Sequence, residues 1–323
     1  MLRWPNQMEQ GTTFDDPLAT DLIELDAKLK TILPEEYQEC YEDVQPISMG
    51  SAGLKFDSAG RVAWNEIWGS FCDLAMAGGP PHRGTLLEPA TKAEIEADPE
   101  KYRIVAEEIC RGVRMVSDLA VESSPNPGWI DLFCSSTGMA GWMARAIVME
   151  NVSARVEGSI VRLPAGPHFR LEKEIKNVVT SVAKTAHYFV DHIWSGQQRA
   201  IEELFKKAEM EAPLLQPAFA KDPGDDQTVL ALRGRVAEQI HQLTGLRSSG
   251  REYQGWLGLE CLSVRTAIWM MRALAVKNTL ARREETILYA PINQELDPAG
   301  NRVVSAVSEV WKLAVRKGDV VEN

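Results

Sequence analysis

The stretch 129–164, WIDLFCSSTGMAGWMARAIVMENVSARVEGSIVRLP, returns 127 residues later as 256–291, WLGLECLSVRTAIWMMRALAVKNTLARREETILYAP. Without a gap, 15 of the 36 positions are identical, among them Trp129/Trp256, Cys134/Cys261, Ser136/Ser263, Trp142/Trp269, Arg145/Arg272, Asn151/Asn278, Arg155/Arg282 and Glu157/Glu284. Ordinary residue frequencies would give about two matches by chance. Past a two-residue deletion, Val178, Val179 and Val182 fall over Val303, Val304 and Val307. We read this as an internal duplication.

Each copy has a legible order. Residues 129–135 alternate as a strand does, with Ile130, Leu132 and Cys134 on one face and Trp129, Asp131 and Phe133 on the other. Residues 138–151 follow with helical spacing at Ala140, Met143 and Ile147. Residues 154–164 read as two short strands around Gly158-Ser159, or as one long strand. Val178, Val182, Ala186, Phe189 and Ile193 then mark a long amphipathic helix. The expected fold class is α+β: tandem β-α-β-β-α repeats, each close to a ferredoxin-like half, with helices packed on small mixed sheets. No fourth strand is legible in either copy.

Working outward, residues 46–122 read as a degenerate third repeat. Its first strand falls at 46–56, its helix at 62–77, a returning strand at 85–89 and a closing helix at 101–121. The expected organisation is a helical N-terminal arm (1–45), the degenerate repeat (46–122), a clear repeat (123–195), a helical linker region (196–245) and a second clear repeat (246–323). Within the arm, Asp16-Pro17 starts a helix that runs to about Leu33.

Composition narrows the function classes. The chain has 323 residues, 46 acidic against 35 basic, and a net charge of −11. That balance argues against nucleic acid as a partner, because phosphate binding needs a basic surface. No run of 18 apolar residues is present, so no membrane association is expected, and the first residues lack the apolar core of a secretory signal. The five cysteines are widely spaced, with no C-x-x-C. This excludes the common zinc and thioredoxin-type signatures and suits reduced thiols in the cytoplasm.

Several residues carry candidate chemistry. Cys134 and Cys261 share strand parity with aliphatic residues and read as inert core thiols. The segment Gly78-Gly79-Pro80-Pro81-His82-Arg83-Gly84 is the leading loop. Its prolines stiffen it, Gly79 and Gly84 let backbone approach a ligand, and His82 and Arg83 offer an imidazole and a forked cationic donor. It is not a phosphate-binding P-loop. Arg155 with Glu157, and Arg282 with Glu284, sit two apart on a strand and share a face. That pairing suits contact with a planar anionic ligand, and equally the docking of one repeat on another. Trp142 and Arg145 lie three apart on a helix, the spacing of a stacked structural pair. His187 and Asp191 are four apart on a helix, the spacing of an oriented general base. His192, five residues from His187, is about 140° away round an α-helix, so the two imidazoles are not expected to converge and no metal site is expected.

The functional expectation is a protein that binds a small anionic metabolite between repeats. His82 and Arg83 line the cleft, and Arg155 and Arg282 add anchors. If the chain is an enzyme, His82 or His187 supplies the acid or base and the chemistry is non-redox. No motif specifies a cofactor. A second reading is a non-catalytic structural protein that self-assembles as a homo-oligomer. A third is a tetrapyrrole- or metal-handling protein.

Overall fold

The computed structural model describes residues 16–39, 53–67, 73–218, 226–251 and 253–318. Cys40, Cys72, most of the strand expected at 46–56 and residues 219–225 lie outside these. Among the described residues the elements run in the following order. Helices α1 (Pro17–Ile32), α2 (Lys92–Ala97) and α3 (Pro99–Ser117) lead into strands β1 (Ala120–Ser123) and β2 (Trp129–Phe133). Helix α4 (Thr137–Met149), strands β3 (Arg155–Glu157) and β4 (Ile160–Pro164), and helix α5 (Lys176–His187) follow. Helices α6 (Ser195–Glu211) and α7 (Asp226–Thr244) precede β5 (Arg247–Ser248), β6 (Trp256–Glu260), α8 (Val264–Val276), β7 (Arg282–Glu284), β8 (Ile287–Pro291) and α9 (Asn301–Lys317).

The molecule is a mixed α+β structure with two four-stranded sheets, ordered β1-β2-β4-β3 and β5-β6-β8-β7. Every neighbouring pair is antiparallel, so the sheets are not mixed as the sequence suggested. The tight turn at Gly158-Ser159 is the reason. It sends β4 back between β2 and β3, which run parallel to each other but never touch. The strand missing from the sequence reading is β1, and its counterpart β5, on the outer edge. Only Val121 of β1 is buried, so no alternation showed. Strands β5 to β8 each start 127 residues after β1 to β4, and α7 and α8 start 127 residues after α3 and α4.

Local physics explains several of the matched residues. Ser136 and Ser263 are N-caps, their side chains accepting the amides of Met139 and Thr266. Asn151 and Asn278 follow α4 and α8 with φ of 61° and 54°. Asparagine tolerates this left-handed geometry best after glycine. Val121, Leu132, Val161 and Val156 form one cross-strand apolar row of the first sheet, and the central two are fully buried. Cys134 and Cys261 are buried, and burial pushes both thiols up to about 12, as expected of inert core cysteines. Helix α1 closes over α6, α8 and α9. Its last carbonyls accept from outside it: Ile32 from the Trp142 indole at 2.7 Å and Thr31 from Gln197 at 2.9 Å.

The helix expected at 62–77 is not formed by its described residues. Single 3₁₀ turns occupy Trp64–Glu66 and Ala75–Ala77. Leu74, Ala75, Met76 and Ala77 are four successive fully buried residues, which one face of a surface helix cannot supply. The Ala75 amide donates to the Glu150 side chain instead of to a helical carbonyl. No helix among the described residues is long and apolar enough to cross a membrane.

Candidate functional site

The two sheets meet through residues that repeat at the 127-residue interval. Asn278 donates to the Ala212 carbonyl and accepts from Arg145; Asn151 donates to the Arg83 and Arg283 carbonyls and accepts from Arg282. Before each unit runs a short extended segment. Leu87 bridges in parallel to Val152, and Leu215 to Thr279. Each segment also reaches the other unit. The Gln216 side chain bonds both backbone groups of Val156 at 3.0 and 2.9 Å, and the Leu86 amide donates to Glu284 at 3.2 Å.

These contacts frame two crevices of different character. The first is open, with a volume of about 280 Å³. Its lining includes Arg145, Arg155, Arg162, Phe205, Gln216 and Asn278. Arg145 is 2% exposed. Its guanidinium stacks 3.9 Å over Phe205 and donates to the carbonyls of Ala275 and Gly141 and to Asn278 Oδ1, at 3.1, 2.8 and 2.9 Å. The expected stacking partner, Trp142, instead packs on Phe189. Among the described residues no carboxylate forms an ion pair with Arg145, and burial pulls its pKa down to about 9. Arg155 donates to the Pro217 carbonyl, and burial, with the neighbouring Arg162 adding to it, lowers it to about 10. Arg162 pairs with Asp131 at 3.3 Å and Glu157 at 2.8 Å. The remaining carboxylates of the lining, Glu157, Glu209 and Glu295, are all exposed, so the floor is cationic and the rim anionic.

The second crevice is filled. Arg282 is fully buried, with its guanidinium carbon 3.8 Å from the Tyr289 ring centre, 4.4 Å from Tyr253 and 5.3 Å from Trp256. It pairs with Glu284 at 2.8 Å, and Arg251 pairs with the same carboxylate at 2.7 Å. Burial pulls Glu284 upward, but hydrogen bonds from Tyr253, Arg282 and Arg251 outweigh it and hold the carboxyl below its ordinary value. Where the first sheet has Asp131 beside Arg162, the second has Gly258 beside Tyr289. A Cβ on Gly258 would lie 3.0 Å from the Tyr289 ring, so the glycine makes room for the aromatic cage. The space is further occupied by residues 75–88. Arg272 donates to the Met76 carbonyl and Arg283 to the Gly79 carbonyl.

That filling segment contains the leading loop of the sequence reading. Glu150 and Lys184, both buried, pair at 2.9 Å and pin it. Glu150 accepts the amides of Ala75 and His82, and Lys184 donates to the Asp73 carbonyl. His82 Nε2 lies 2.6 Å from the Thr180 hydroxyl. Burial lowers its pKa to about 4 against the opposing pull of Glu150, so the imidazole is neutral near pH 7. Arg83 is lowered by burial and donates to the Thr85 carbonyl. A Cβ on Gly79 would fall 2.2 Å from the Asp73 carbonyl oxygen, so this glycine serves close backbone packing; Gly84 faces open space.

The structure therefore separates the predicted residues. Arg155 and Glu157 line the open crevice. Arg282, Glu284, Gly79 and Arg83 belong to the filled one, with His82 alongside on α5. His187 and Asp191 stand apart, bonded to each other at 2.7 Å. The expectation that His192 points away from His187 is corrected. Residues Tyr188–His192 form a π turn, whose i→i+5 bonding brings the fifth residue back over the first, and the two Nε2 atoms lie 3.2 Å apart. Arg162, Gln216 and Asn278 were not singled out as site residues. Asn278 carried a signal, being matched by Asn151; Arg162 carried none, because its counterpart is Tyr289. Comparison with protein families, with curated proteins and with solved structures finds no match to the chain.

Proposed function

We propose that the chain is a duplicated α+β protein, each copy built around a ferredoxin-like half, that binds a small anionic metabolite in the open crevice between the copies. Arg145 carries the proposal. It is a buried guanidinium held by carbonyls, an amide and an aromatic face, with no carboxylate paired to it among the described residues. Buried charges are ordinarily paired, because leaving water costs several kcal/mol per ion. A carboxylate or phosphate on the crevice floor would complete the charge of Arg145 and sit beside Arg155 and Arg162. The acidic rim sets a size limit. At about 280 Å³ the crevice is at the small end of ligand sites, so the ligand is a compact metabolite whose charge reaches the floor. Gln216, Asn278 and Asn293 supply neutral hydrogen-bonding groups for its orientation.

No histidine lines this crevice, and the proposal is one of binding. Titration calorimetry with inorganic phosphate, succinate and citrate tests it. At least one of these is expected to bind saturably at one site per chain, with affinity reduced tenfold or more in Arg145→Met and Arg155→Gln. Failure of all three to bind, or equal binding by both variants, would overturn it.

A further inference from the structure

We infer that His187 and His192 form a two-imidazole site for a divalent transition-metal ion, independent of the anion crevice. The Nε2 atoms face each other at 3.2 Å, with ring planes at 77°. Each ring is held from its far side. His187 Nδ1 lies 2.7 Å from Asp191 Oδ2, and His192 Nδ1 lies 2.7 Å from Glu36 Oε1. A carboxylate at that distance requires the Nδ1–H tautomer. Both rings then direct an Nε2 lone pair into the same gap, an arrangement that repels unless a positive species lies between. Two species can do this: a shared proton or a metal ion.

Three features favour the metal. Two nitrogens each about 2.05 Å from one tetrahedral zinc are about 3.3 Å apart, close to the separation found here. Carboxylates on the Nδ1 protons are the usual partners of metal-bound histidines, fixing tautomer and raising basicity. The site also depends on the π turn; on a regular α-helix residues five apart diverge. That turn is supported in turn by Gln198, whose amide caps the Phe189 and Ile193 carbonyls at 3.0 and 2.9 Å. Tyr188 packs against both rings, at 5.8 and 4.9 Å between centres.

No group of three or more His, Cys, Asp or Glu side chains among the described residues is arranged to hold a metal, so the protein supplies two ligands here. Both imidazoles are 37% exposed, leaving the other positions to water or to an incoming ligand. Imidazole selects zinc, nickel or copper over magnesium or calcium. The ion replaces the shared proton, which leaves to solvent, so binding is coupled to proton release.

The test is calorimetric titration of the full chain with Zn²⁺, Ni²⁺ and Cu²⁺ in buffers of different ionisation enthalpy. One ion per chain is expected, with a buffer-dependent heat that reports the released proton. Affinity should fall tenfold or more in His187→Gln and in His192→Gln, and several-fold in Asp191→Asn, which keeps both ligands. His168→Ala, at an exposed histidine elsewhere, should bind as the wild type does. Thermal melts of the metal-free variants verify folding, and Asp191→Asn remains informative if a histidine variant fails to fold. Absence of binding up to millimolar ion would identify the bridging species as a proton and overturn the proposal. So would wild-type affinity in either histidine variant.

Discussion

The crevice beside Arg155 and the one beside Arg282 begin with the same arginine at the same register of the same strand order, and end differently. Around Arg155 the neighbours are Arg162, a floor guanidinium and open space. Around Arg282 they are three aromatic rings, a buried carboxylate and the chain segment that enters from residues 75–88. Two substitutions account for much of this. Glycine at 258 in place of aspartate at 131 admits the ring of Tyr289, and tyrosine in place of Arg162 removes one cation. A buried guanidinium satisfied from within is a structural rivet; one left with an open side is available to a ligand.

The contrast can be broken most forcefully by truncating the arginines. Arg282→Ala strands Glu284 in the interior and is expected to cost about 3–5 kcal/mol of folding stability. Arg155→Ala removes a hydrogen bond to the Pro217 carbonyl and should cost about 1–3 kcal/mol. Denaturant unfolding would measure both, and equal losses would erase the distinction. Next comes pH, through His82 beside the filling segment. Its folded value of about 4 lies below the ordinary 6.5, so the unfolded chain binds more protons between the two. The stabilisation is complete above pH 6.5 and is lost as pH falls toward 4, by up to about 3 kcal/mol. His82→Gln should flatten that slope; an unchanged slope would show that His82 is not its source.

Smaller effects sharpen the picture. Gly258→Ala crowds Tyr289 and is expected to cost about 1–3 kcal/mol. A neutral result in denaturant unfolding would mean the cage adapts to an added methyl group. Smallest is Glu157→Gln. Its carboxylate is 73% exposed beside Arg162, so the loss should be about 0–1 kcal/mol.

How far these features could be read from the sequence depended on their range. The strand-helix-strand order of both units followed from periodicity, because Leu132, Val161 and Met143 are selected by local burial. The edge strand β1 was hidden because only Val121 is buried in it. Residues 62–77 misled because their apolar character serves complete burial of an irregular chain, pinned by Glu150 from 75 or more residues away. Arg155 and Glu157 stood out through the matched positions. Arg162 did not, because specialisation removes the very match that would reveal it. His187 and His192 were misjudged by the assumption of 3.6 residues per turn, which the π turn at 188–192 breaks.

The central claim is that one crevice binds and the other only holds. Thermal unfolding with and without inorganic phosphate, succinate or citrate tests it when run on Arg155→Gln and Arg251→Gln together. Arg251 touches the Glu284 of the filled crevice and is 57% exposed, so its replacement leaves the fold intact. The account predicts that Arg155→Gln loses the anion-dependent rise in Tm while Arg251→Gln retains it in full. A rise that survives Arg155→Gln, or that disappears with Arg251→Gln, would contradict it.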